Sequence, residues 1–159
     1  MEYASKQAGT EARIAADSNP SGQQAGGASG GVTAATLQAF SDAWNRHDID
    51  ALMSFMTDDC VFHAVAGGEL FGRTFRGREA VREGFQLAWQ TFPDAAWLDG
   101  EHFVCGDRGV SESTFRGTKA DGSRIEARMV DVFTFRDGKI AVKNAYRKDR
   151  PALAAGSRG

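Results

Sequence analysis

Pro93 separates two stretches of different hydrophobic period, and that change constrains the fold more than any single motif. Before it the apolar residues recur at helical spacing. Leu37, Phe40 and Trp44 stand at i, i+3 and i+7 of a helix that Thr33 can cap and that runs to about Arg46. Asp48 can cap a second, short helix carrying Ile49, Leu52, Met53 and Met56, stopped by Thr57-Asp58-Asp59. Cys60 to Val65 is an apolar strand, followed by a loop through Gly67, Gly68 and Gly72. A third helix opens near Gly77 with Val81, Phe85, Ala88, Trp89 and Phe92 on one face, and Pro93 ends it because proline disfavours a helical residue before it.

After Pro93 the period is two. Ala95–Leu98, Glu101–Cys105, Gly109–Gly117, Arg124–Phe135 and Lys139–Arg147 read as strands. Gly106-Asp107-Arg108, Ala120-Asp121-Gly122-Ser123 and Asp137-Gly138 are the turns between the last four. Helices followed by a meander predict an α+β domain: a cone-shaped, bent antiparallel sheet of about five or six strands, with three N-terminal helices on its concave face. The mouth of such a cone is a natural small-molecule pocket.

The folded unit is narrower than the chain. All 11 Phe and all three Trp lie between Phe40 and Phe135, whereas Met1 to Gly31 holds only Tyr3 among Ala, Gly, Ser and Gln. That stretch cannot bury enough apolar surface to offset its backbone entropy, so residues 1–31 read as a disordered tail, 32–150 as one domain and 151–159 as a short second tail. With 19 basic and 21 acidic side chains the formal charge is −2, which argues against a nucleic-acid binder. No apolar run reaches the ~20 residues that span a bilayer, and no signal-peptide stretch opens the chain, so a cytoplasmic location is expected. Cys60 and Cys105 are too few for a disulfide scaffold or a cysteine-based zinc site. The histidines at 47, 63 and 102 share no ligand spacing, and phosphate-loop, dinucleotide and nucleophile-elbow motifs are missing. No metal and no cofactor are expected.

Strand parity selects the pocket face. In Arg124–Phe135 one face carries Ile125, Ala127, Met129, Asp131, Phe133 and Phe135, so Asp131 is a carboxylate among apolar side chains. Burial there raises its pKa unless a donor or cation compensates. The last strand is expected to present Ile140, Val142, Asn144 and Tyr146 as a second wall, with His63 at the end of the first strand.

Four segments then resemble the nuclear transport factor 2-like superfamily, in its SnoaL-like branch near ketosteroid isomerase. They are Phe40 to Asp48, Phe55 to His63, Phe75 to Glu83 and Asp131 to Ile140, and the resemblance covers about residues 36 to 148. It implies the cone fold and poorly specifies activity, because the superfamily includes isomerases, cyclases, dehydratases, hydrolases and non-catalytic modules. Asp131 falls where the isomerases keep a protonated oxyanion-hole aspartate, and where the SnoaL-like cyclases keep an acid/base aspartate. Phe40 stands at the isomerase tyrosine position and Ala64 at its base position, so steroid isomerisation itself is not expected.

Two functions follow as expectations. In the first, the domain binds a small apolar carbonyl compound and acts as an isomerase, cyclase or lyase, with Asp131 and His63 as proton carriers and Phe40, Trp44, Met129, Phe133, Asn144 and Tyr146 shaping the pocket. In the second it is a non-catalytic ligand-binding or dimerisation module, paired as a homodimer through the outer sheet face around Val130 and Val132.

Overall fold

The computed structural model describes residues 30–154. The sequence-predicted tail over 1–31 thus lies outside the described residues except for Gly30 and Gly31. Helix α1 spans Ala34–Asn45, α2 Ile49–Ser54 and α3 Arg78–Thr91. The strands are β1 Met56–His63, β2 Thr74–Arg76, β3 Ala96–Cys105, β4 Arg108–Thr118, β5 Arg124–Arg136 and β6 Lys139–Arg147. They form one six-stranded sheet in the order β2-β1-β6-β5-β4-β3.

The helix starts follow the expected chemistry. Thr33 and Thr36 form a reciprocal capping box, the Thr36 amide donating to Thr33 Oγ1 at 3.2 Å and the Thr33 amide to Thr36 Oγ1 at 3.1 Å. Asp48 accepts from the Ala51 amide at 2.9 Å. Leu37, Phe40, Ala43 and Trp44 of α1, Leu52 and Met53 of α2, and Val81 and Phe85 of α3 are buried together against the sheet. Polar ties fix the helices there: Asn45 exchanges hydrogen bonds with the Trp97 backbone at 2.9 and 2.8 Å, and Arg78 donates to the Met56 and Met53 carbonyls.

Three features differ from the sequence expectation. The sheet is mixed, because β1 runs parallel to β6 while every other neighbouring pair is antiparallel. The two segments after Pro93 are one strand, β3, interrupted by a bulge between Leu98 and Glu101 where Asp99 adopts φ 53°. Strand β2 was not expected: three residues are too short to show alternation, yet they pair with Val61, Phe62 and His63. The Gly-rich loop before it is tightly closed, Ala64 and Arg73 being joined by a backbone hydrogen bond of 2.9 Å. Gly72 sits there at φ +69°, and a Cβ would lie 2.1 Å from the Ala64 carbonyl oxygen, so only glycine fits. At the other end the chain does not leave the sheet at Arg150, since Leu153 bridges Arg124.

A further irregularity decides the site. Thr134 pairs with Val142 and Phe135 with Ile140, so Ala141 is an extra residue in β6. Side chains alternate strictly along a strand, and one inserted residue exchanges the faces of everything beyond it. Ile140 and Ala141 are both buried, and from there Lys143 and Ala145 point into the domain.

Candidate functional site

Between α3 and the inner faces of β1, β5 and β6 lies an open cavity of about 340 Å³, within the size range of ligand pockets. Its walls include Trp44, Phe62, Phe75, Trp97, Phe115 and Met129. Trp97 and Phe115 come from facing positions of β3 and β4, and their rings meet edge-on at 5.3 Å. The Trp97 indole donates to the Met129 sulfur at 3.2 Å, which fixes that side of the wall.

Lys143 lines this cavity and is only 3% exposed. Its Nζ donates to Asp131 Oδ1 at 2.6 Å and lies 5.1 Å from the Phe62 ring centroid and 5.4 Å from that of Trp44. The cation that Asp131 needed is therefore supplied from the neighbouring strand. Both groups share the inner face because the bulge at Ala141 turns Lys143 inward, and Asp131 pairs in register with Ala145. A buried ion pair stays together because separating it leaves an uncompensated charge in a medium of low dielectric. The Trp44 Nε1–H, on the same wall, is buried and has no acceptor among the described residues.

The sequence-predicted residues divide three ways. Trp44 and Met129 line the large cavity. Asp131, Phe40 and Phe133 stand behind it around a small void of about 10 Å³, together with His102, Ser111 and Ser113. Phe40 is core, packed edge-on against Phe55, Phe85 and Phe133. Asn144 and Tyr146 do not form the expected inner wall. The bulge places them on the outer face, where Asn144 Nδ2 donates to the Tyr146 hydroxyl at 2.7 Å and Tyr146 is 51% exposed.

His63 does not join Asp131 either. On β1 it is Phe62 that points inward, and His63 instead meets Thr74 Oγ1 at 2.9 Å and the Phe71 ring at 5.2 Å. Burial, reinforced by Arg76, holds its pKa below the ordinary histidine value. His102 bonds Ser111 Oγ at 2.7 Å, and burial lowers its pKa too, with Asp42 opposing. Among the described residues no cluster of His, Cys, Asp and Glu could hold a metal ion, and no helix is long and apolar enough to cross a membrane.

Three helices over one face of a six-stranded mixed sheet, with a largely apolar cavity between them, define an α+β protein with the cystatin-like, ketosteroid isomerase-like fold. The chain belongs to the SnoaL-like domain family, which it matches over residues 37–143. Its fold is similar to that of a proposed polyketide cyclase from Pseudomonas putida, at 20% identity and a TM-score of 0.64, covering 73% of this chain and 92% of that one. A Catenulispora acidiphila protein with a ketosteroid isomerase-like fold, solved with trimethylamine, aligns at 18% identity and TM-score 0.61 over 69% of this chain and 82% of its own. TerC, co-crystallised with polyporic acid, aligns at 23% identity and TM-score 0.61 over 70% and 88%. At such identities the likeness establishes the fold. No curated protein matches the sequence.

Proposed function

We propose that this protein binds a small, largely apolar carbonyl compound in the cavity and stabilises its enolate through Lys143. The observation that carries the reading is a buried, ion-paired ammonium on the wall of an aromatic cavity. Lys143 Nζ donates to the carbonyl oxygen, and the same hydrogen bond strengthens as negative charge grows on that oxygen when an α-proton leaves to water. Asp131 does not line the cavity, so its part is to hold Lys143 in place rather than to touch the ligand. The donor to the enolate is thus Lys143 instead of Asp131, and His63, bonded to Thr74, does not line the cavity.

The probe is acetylnaphthalene, an apolar methyl ketone with exchangeable α-hydrogens. Calorimetry is expected to show saturable binding, and proton NMR in deuterated buffer a methyl exchange faster than in buffer alone. In the double variant Asp131→Asn/Lys143→Met, binding is expected to persist while exchange falls to the buffer rate. Absence of binding up to the solubility limit sinks the ligand reading. Unchanged exchange in the double variant removes Lys143 from the chemistry.

A second reading, pairing of two copies, rests on the outer sheet face. Phe103, Val110 and Val132 follow one another in register across β3 to β5, and Phe103 is 57% exposed. An apolar row of this kind on an exposed sheet face suits a symmetric partner. Sedimentation velocity is expected to give a dimer for the native chain and a monomer for Val132→Lys. A native chain that is monomeric throughout rules pairing out.

A further inference from the structure

The charged side chains of the cavity wall are all cations. Arg73, Lys119, Lys143 and Arg147 line it, and no Asp or Glu does. Lys143 is neutralised by Asp131, but Arg73, Lys119 and Arg147 form no ion pair among the described residues. Asp149 lies near Arg147 and Asp121 near Lys119 without closing on them, and neither carboxylate lines the cavity.

Two of these cations sit over rings of the wall, Arg147 half-buried and Arg73 exposed to solvent. Arg147 Cζ sits 5.4 Å from the centroid of the Phe115 ring and Arg73 Cζ 4.8 Å from that of Phe75, and both rings belong to the cavity. Arg147 is half-buried, and desolvation pulls its pKa below the ordinary arginine value. A partly desolvated guanidinium with no anion retains unmet hydrogen-bonding capacity that a planar carboxylate satisfies with two parallel bonds.

Position gives the ligand a direction. Lys143, Ala145 and Arg147 follow one another on the inner face of β6, so the two cations are separated by four residues, about 13 Å of strand at ~3.3 Å per residue. We infer that the natural ligand is an apolar-bodied monocarboxylate, its carbonyl at Lys143 and its carboxylate at Arg147. This rests on the cavity being the ligand site, and it adds the charge and the polarity of the ligand to that reading. The apolar walls between the ends exclude a polyanion, which would leave charge against Phe62, Trp97 and Phe115.

The test compares acetylnaphthalene with the acetylnaphthoic acid that carries a carboxylate at the far end of the rings, and with the corresponding primary amide. At low salt the acid is expected to bind at least about tenfold more tightly than ketone or amide, the worth of one charge-assisted pair. The advantage is expected to shrink with added salt and to fall to about threefold or less in Arg147→Gln, whose side chain keeps donors but no charge. Equal binding of acid, ketone and amide overturns the inference while leaving the cavity a ligand site. An acid advantage unchanged in Arg147→Gln overturns the placement of the carboxylate. Failure of all three probes to bind defeats the ligand reading itself.

Discussion

Lys143→Met is expected to lower the unfolding free energy by about 3–5 kcal/mol, because it leaves the Asp131 carboxylate buried without its cation. Asp131 is 7% exposed and its Oδ1 is held by Lys143 Nζ, so the stranded charge has no route to solvent that keeps the core intact. The Trp44 and Phe62 rings that flank the ammonium offer a Met side chain good packing, which isolates the loss to electrostatics. The pair as a whole is another matter: desolvating two charges costs nearly as much as their attraction returns. The double variant Asp131→Asn/Lys143→Met is therefore expected to recover most of that loss. Urea unfolding with an unchanged slope reads both effects. A double variant less stable than Lys143→Met, or a single-variant loss below about 1 kcal/mol, contradicts a buried, mutually dependent pair.

Phe85→Ala is expected to cost a similar amount, about 3–5 kcal/mol, for a different reason. Phe85 is completely buried at the point where α3 meets α1 and β1, with ring centroids 4.8 Å from Trp44, 5.0 Å from Phe62 and 6.3 Å from Phe40. These neighbours are themselves large rings held by other contacts, so the vacated space cannot close by simple collapse. Thermal and denaturant unfolding measure the loss. A cost under about 1.5 kcal/mol shows that the aromatic cluster relaxes freely, contrary to the packing described.

The first two helices were legible in the sequence because each carried two independent signals, an apolar stripe and a capping residue, whereas α3 was read from its stripe and the proline that ends it. Thr33 and Asp48 cap where the spacing of Leu37, Phe40 and Trp44, and of Leu52 and Met53, requires a start. Strand β5 was legible because its alternation runs unbroken from Ala127 to Phe135, and it placed Asp131 correctly in the interior. The Asp137-Gly138 turn was equally plain, both residues adopting the positive φ that a tight hairpin needs.

What could not be read was register. Parity carried Asn144 and Tyr146 to the inner wall and Lys143 to the outside, and the bulge at Ala141 reversed both. Nothing local marks that residue: alanine is permissive in a strand, and the extra position shows only in the pairing of Thr134 and Phe135 with β6. The ion pair was hidden for the same reason, since Asp131 and Lys143 belong to different strands and meet only in register. His63 failed differently. Its strand was foreseen, but it faces β2 and Phe71, in a segment too short and glycine-rich to be read as sheet.

The bulge makes β6 a strand with two readable walls. One presents Lys143, Ala145 and Arg147 to the cavity; the other presents Val142, Asn144 and Tyr146 to the outer surface. One residue inserted between Val142 and Lys143 without a second bulge would exchange them beyond that point, giving a cavity with an amide and a phenol in place of two cations while the remaining strands keep their pairing. Within such a domain a single-codon insertion therefore changes ligand chemistry more completely than any substitution along the wall, and the outer surface already stores the alternative lining.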